Sequence, residues 1–187
     1  MDADSGWVDV EGRAPSGPTA AKLLGAALPP SFEIGGVSHP AASSPKLGAT
    51  SWTVQGAEVT ARCVATPARA SPGAQAAGIA MSTTLKNATQ APMVLGKMEL
   101  LRIPRAALPS AGLRLLQYQL KVAQHPMVMV EVVGAKELAC NTVALLHTAA
   151  PQSRAGGAVG FLSWKRCATV VTVGADAVVA SCDASGT

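Results

Sequence analysis

The chain has 187 residues, of which 49% are hydrophobic but only 3% aromatic and 14% charged, and its formal net charge is +4. That length suits one ordinary domain with an arm, or two very small domains, with enough Ala, Val and Leu to build a core. The composition excludes a charged disordered chain and counts against long helices, and no apolar run reaches the length needed to span a membrane.

Residues 1 to 11 hold Asp2, Asp4, Asp9 and Glu11 and no base, whereas Arg62 to Arg166 holds twelve Lys and Arg against Glu99, Glu131 and Glu137. A basic excess of that kind attracts polyanions such as nucleic acid, or else forms an ordinary solvated surface. Residues 1 to 30 lack the basic start and apolar run of a signal peptide. The chain is therefore expected to be intracellular, or to have lost such a signal.

Residues 1 to 49 are interrupted by Pro15, Pro18, Pro29, Pro30, Pro40 and Pro45. They read as an extended N-terminal arm that orders on a partner or along its own domain. Within it, Ala20 to Leu28 fits two turns of helix, with Leu24 and Leu28 on a shared side. The ordered β domain is expected over residues 50 to 187.

Trp52 and Val54 share one parity and Val59, Ala61 and Cys63 the other, which places a bulge or tight turn at Gly56. Pro67 to Gly73 reads as a loop. Ser71 and Pro72 suit the start of a short Ala-rich helix to about Met81, while Ile79 to Leu85 equally fits a strand. Met93 to Ile103 reads as a strand, and Pro104 and Pro109 bound the connection after it.

Leu113 to Val133 carries the clearest pattern. Leu116, Tyr118, Leu120 and Val122 alternate with Gln117, Gln119 and Lys121, the signature of a strand with one dry face. His125-Pro126 breaks the run, and Met127 to Val133 follows as a Val-rich strand. This pair is expected at the centre of the domain. Cys140 to Thr148 fits a strand or a short helix. Pro151 to Gly157 reads as a loop, and Ala158 to Val173 as one long strand bulged near Lys165-Arg166. Gly174 to Asp176 turns into a last short strand, Ala177 to Cys182. About eight strands in an antiparallel β-sandwich, jelly-roll-like, is the resulting expectation.

Signals for chemistry are sparse. Cys63, Cys140, Cys167 and Cys182 include no CxxC pair, which argues against zinc. In an oxidising compartment Cys167–Cys182 across a hairpin is the preferred disulfide, and in a reducing one the four are small buried hydrophobes. His39 and His125 precede prolines and read as loop residues, and no GxSxG turn, Walker loop or HExxH is present. Ala155 to Gly160 lacks the first glycine of a dinucleotide loop and reads as a flexible turn. Asn87-Ala88-Thr89 fits a glycosylation sequon, meaningful only in a secretory pathway. No catalytic residue, metal or cofactor is expected.

The bases that would touch nucleic acid are Arg62, Arg69, Arg102, Arg105, Arg114, Lys165 and Arg166. Without interleaved exposed aromatics, they would contact phosphate and read no sequence. A proline-rich arm, a β domain and a small neutral surface resemble the layout of small jelly-roll coat proteins of icosahedral viruses. That resemblance implies a self-assembling virion subunit whose partners are its own copies and packaged nucleic acid. The other expectation is an exported, periplasmic or extracellular, envelope or ligand-binding domain held by disulfides. An enzyme is not expected.

Overall fold

A computed structural model describes residues 8–9, 20–66, 78–108, 113–117, 128–131, 138–141, 143–148, 155–161 and 167–185. Two hairpins show how local sequence builds it. Gln55 and Gly56 have φ of 47° and 79°, and Gly35 and Gly36 have φ of 62° and 80°. Two successive positive-φ residues are what a two-residue type I′ turn requires, and that turn matches the twist of the strands it joins. The second pair joins β2 (Ser31–Ile34) to β3 (Val37–Pro40), and the first joins β4 (Gly48–Val54) to β5 (Ala57–Thr66). The Gly56 signal is thus a tight turn, and both parities beside it point inward: Trp52, Val54, Val59, Ala61 and Cys63 are all buried.

Three antiparallel sheets result, with fourteen strand segments among the described residues. The remaining segments in chain order are β1 (Val8–Asp9), β6 (Gly78–Asn87), β7 (Leu95–Pro104), β8 (Leu113–Gln117), β9 (Val128–Glu131), β10 (Leu138–Asn141), β11 (Val143–Thr148), β12 (Ala155–Gly160), β13 (Ala168–Val173) and β14 (Ala177–Asp183). The orders are β4-β5-β6, β10-β13-β14-β7-β2-β3 and β1-β12-β11-β8-β9. One helix, α1 (Ala20–Ala26), buries Leu24. Leu28, expected beside it, instead bridges Arg102 as a lone β-bridge.

Two apolar clusters join these elements into a sandwich-like fold. One packs Trp52, Val54, Ala57, Val59 and Ala61 of the three-stranded sheet against Phe32, with Met98 and Leu100 beside them. The other gathers Ile103, Leu108, Val171, Val173, Val178 and Ala180, with Leu23 of α1 and Val159 of β12 against it. β7 serves both clusters, because successive side chains on a strand point to opposite faces. β14 is buried from Ala177 to Cys182, as expected of a strand covered on both sides.

Several expectations are corrected. Before residue 50, β2 pairs with β7 and Phe32 is fully buried. The prolines around that segment close off short strands, and this part of the arm orders along its own domain, one of the two outcomes expected of it. The Leu113–Val133 pair does form, with Leu116 opposite Met129, but β9 ends its sheet and β14 is the buried centre. Residues 118–127 lie outside the described residues. Cys140 to Thr148 and Ala158 to Val173 each divide between two sheets, β10 from β11 and β12 from β13. A strand that changes sheet shows no break in hydrophobic pattern, so the two read as one. Ala155 to Gly160 is a strand paired with both β1 and β11, and His39 lies on β3. The strand reading holds from Gly78 onward. The capping pair Ser71-Pro72 lies outside the described residues.

Candidate functional site

Arg62 projects from β5 on the solvent face of the three-stranded sheet, between Ala49 of β4 and Ser82 of β6. The next row across that face is Ser51, Thr60 and Thr84, and the Ser51 and Thr60 hydroxyls lie 3.1 Å apart. The row beyond is Thr53, Glu58 and Lys86, with Lys86 Nζ 3.6 Å from Glu58 Oε2. The face is therefore rich in hydroxyls and nearly neutral. Arg62 is its one cation with no acidic partner among the described residues.

The other bases lie elsewhere. Arg102 sits on β7, where its Nη1 is 3.3 Å from Glu99 Oε2, and Lys97 Nζ is 3.6 Å from Glu99 Oε1. One carboxylate thus offsets two cations. Arg105 opens a single 3-10 turn, Arg105–Ala107, and its backbone N–H donates to the Asp176 carbonyl at 2.7 Å. Burial pulls the Arg105 guanidinium below its ordinary value, although it stays a cation. Arg114 lies on β8 between His147 of β11 and Glu131 of β9. Arg69, Lys165 and Arg166 lie outside the described residues. Among the described bases, Arg62 lies on the three-stranded sheet, Arg102 on the six-stranded sheet and Arg114 on the five-stranded sheet, with Arg105 on the 3-10 turn after β7.

Two of the cysteines meet. Cys182 lies on β14 opposite Thr169 of β13, so Cys167, two residues before Thr169, is its diagonal neighbour across the hairpin. Both are free thiols, with Cys182 buried and Cys167 half-buried. Burial pushes the Cys182 thiol up to about 12, and the hydrogen bond and charge of Cys167 and the charge of Asp183 add to it. Cys63 is buried on β5 and its thiol is pushed up by burial alone. Cys140 lies opposite Val171, well along β13 from Cys167.

The sequon is built into a turn. Asn87 Oδ1 accepts from Thr89 N at 2.9 Å and from Thr89 Oγ1 at 2.7 Å, while Asn87 Nδ2 donates to the Ala91 carbonyl at 2.7 Å. Ala88 N–H donates to Gly56 O at 3.0 Å, which latches this turn to the β4–β5 hairpin. Sequence reading found the motif but not this use. The signal was there in Asn at a strand end, which commonly closes such turns.

No known protein family, curated protein or solved structure matches this chain. Among the described residues no group of three or more His, Cys, Asp or Glu is placed to hold a metal ion, and no helix is long and apolar enough to cross a membrane.

Proposed function

We propose that this protein is a structural, self-assembling subunit, in its most concrete form a viral coat or virion protein built on a sandwich-like β domain. The observation that carries this reading is the free edge of β6. This strand runs ten residues from Gly78 to Asn87 and contains no proline. It pairs with β5 without a register break, and it has no partner on its other side among the described residues. Natural proteins normally blunt such an edge with proline, a bulge or repeated charge. Here Lys86 is the one charge, and it is offset by Glu58. A second copy adding its own β6 would extend the sheet and satisfy those backbone groups. Exposed Val37 and Val94, on either side of the β2–β3 turn, offer a second contact surface of apolar type.

In this reading the protein is a component of a virion, and its role is assembly rather than catalysis. Bases such as Arg62 meet packaged nucleic acid through phosphate without reading sequence. Light scattering and negative-stain microscopy across a wide concentration range test the proposal. Discrete oligomers or closed particles are expected, and they are lost in the double variant Ser82→Lys and Thr84→Lys, which charges the edge but leaves the buried face intact. A monomer at every concentration rejects it.

The register that sets Cys167 diagonal to Cys182 favours a second reading, an exported envelope or ligand-binding domain in an oxidising compartment. That domain would remain monomeric with an unmodified β6 edge, so the same measurement separates the two.

A further inference from the structure

We infer that Cys167 and Cys182 are a built thiol pair that closes to a disulfide by exchange with a small-molecule disulfide, clamping the open end of the β13–β14 hairpin. The inference stands whether the chain assembles or not. It begins from register. Thr169 faces Cys182 and Ala168 faces Asp183, so Cys167 sits just beyond the end of β13, diagonal to Cys182. At the other end the hairpin is closed by Gly174 N–H donating to the Ala177 carbonyl at 3.0 Å. At the diagonal end, Ala184 N–H donates to the Gly96 carbonyl at 3.2 Å. The register therefore sets the two side chains on the same face of the hairpin from neighbouring strands. Closing this diagonal to a bond of about 2.05 Å takes side-chain rotation and an adjustment at the strand end, where Cys167 lies outside the β13 ladder.

Exposure assigns the order of events. Cys182 is only 4% exposed, whereas Cys167 is half-buried. The Cys167 thiolate therefore attacks first. Its sulfur bonds to one sulfur of the oxidant, the oxidant's S–S bond breaks, and one small thiolate leaves. Cys182 then gives its proton to solvent, attacks Cys167 Sγ, and expels the second small thiolate. Two protein thiols are oxidised, one disulfide is reduced to two thiols, and nothing else is consumed. Because burial holds the proton on Cys182, the second step is the slow one and speeds up as pH rises.

The sequence makes the test simple. No Lys or Arg lies between Arg166 and Cys182, so trypsin cleaves before Cys167 and keeps both cysteines on one peptide. The full-length protein is incubated with oxidised glutathione under native conditions, then unfolded, alkylated and digested. The expected peptide is two hydrogens lighter and carries no alkyl group, and thermal unfolding rises by roughly 5 °C. Cys182→Ala should stop at a glutathione adduct on Cys167 and show no thermal gain. Cys167→Ser should leave Cys182 unmodified until the protein unfolds. A doubly alkylated peptide from oxidised wild-type protein overturns the inference. So does linkage of this peptide to one bearing Cys63 or Cys140, or rapid native modification of Cys182 in the Cys167→Ser variant.

Discussion

Gly56 combines two constraints at a single position. Its φ is 79°, and a Cβ there would lie 2.5 Å from Thr89 Cγ2. Gly35 shares only the first, with φ of 62° and open space around it. A non-glycine residue in the left-handed region costs roughly 1–2 kcal/mol. Gly35→Ala should lose about that much, and Gly56→Ala about 1 kcal/mol more because Thr89 must also shift. Urea unfolding midpoints of the two variants check this, and equal losses would mean that the Asn87–Thr89 turn does not press on the hairpin. Phe32 offers a larger effect. It is wholly buried between two sheets, so Phe32→Ala should destabilise by about 3–5 kcal/mol. The turn at Gly56 was legible because a glycine standing where the apolar parity switches marks a reversal of the chain. Phe32 was not, since its four-residue strand sits among prolines and shows no run of alternation.

At the scale of the element, β14 shows how packing reshapes a segment that reads as minor. Cys182 within it holds its proton to about 12, chiefly through burial, against an ordinary 9.0. The folded protein therefore binds this proton more tightly than the unfolded chain does. Its contribution to stability is fully present below about pH 9 and is lost as pH rises toward 12. The raised Cys63 thiol acts in the same direction. Stability should thus fall through the alkaline range, and Cys182→Ala should make that fall shallower in denaturant titrations at successive pH values. An unchanged slope would mean that other groups set the alkaline limit. Asp183 has the opposite sign. Its carboxyl is held low, first by the Ser185 hydroxyl and backbone N–H and then by Lys97, so its small exposed contribution is present above 3.8 and fades as pH drops below it.

For the whole molecule, charge and edges decide what it can contact. Glu99 and Glu58 offset Lys97, Arg102 and Lys86, leaving Arg62 exposed on the hydroxyl face. If phosphate is met on that face, Arg62→Glu should weaken RNA binding about equally for all sequences and reduce the log–log salt slope by about one. Charge reversal at Lys165 and Arg166 should flatten it further, and filter binding over a salt series distinguishes the two sets. A slope unaffected by either change removes both from the interface. The +9 excess of Arg62 to Arg166 is a property of the chain, whereas a patch is a property of the surface, and Arg62, Arg102 and Arg114 fall on three different sheets.

The sequence by itself determined the class of structure: alternating Val, Ala and Leu with small polar residues, cut by Gly and Pro, makes strands, tight turns and antiparallel pairing. It also brought Cys167 and Cys182 within one hairpin, because a short turn at Gly174 leaves little choice of register. Only the tertiary structure decided which strands lie deepest, where a continuous run changes sheet, and that residues 31 to 40 belong to the fold. Those outcomes depend on which faces meet across distant parts of the chain. Local periodicity reports the facing of each residue but not the partner that covers it.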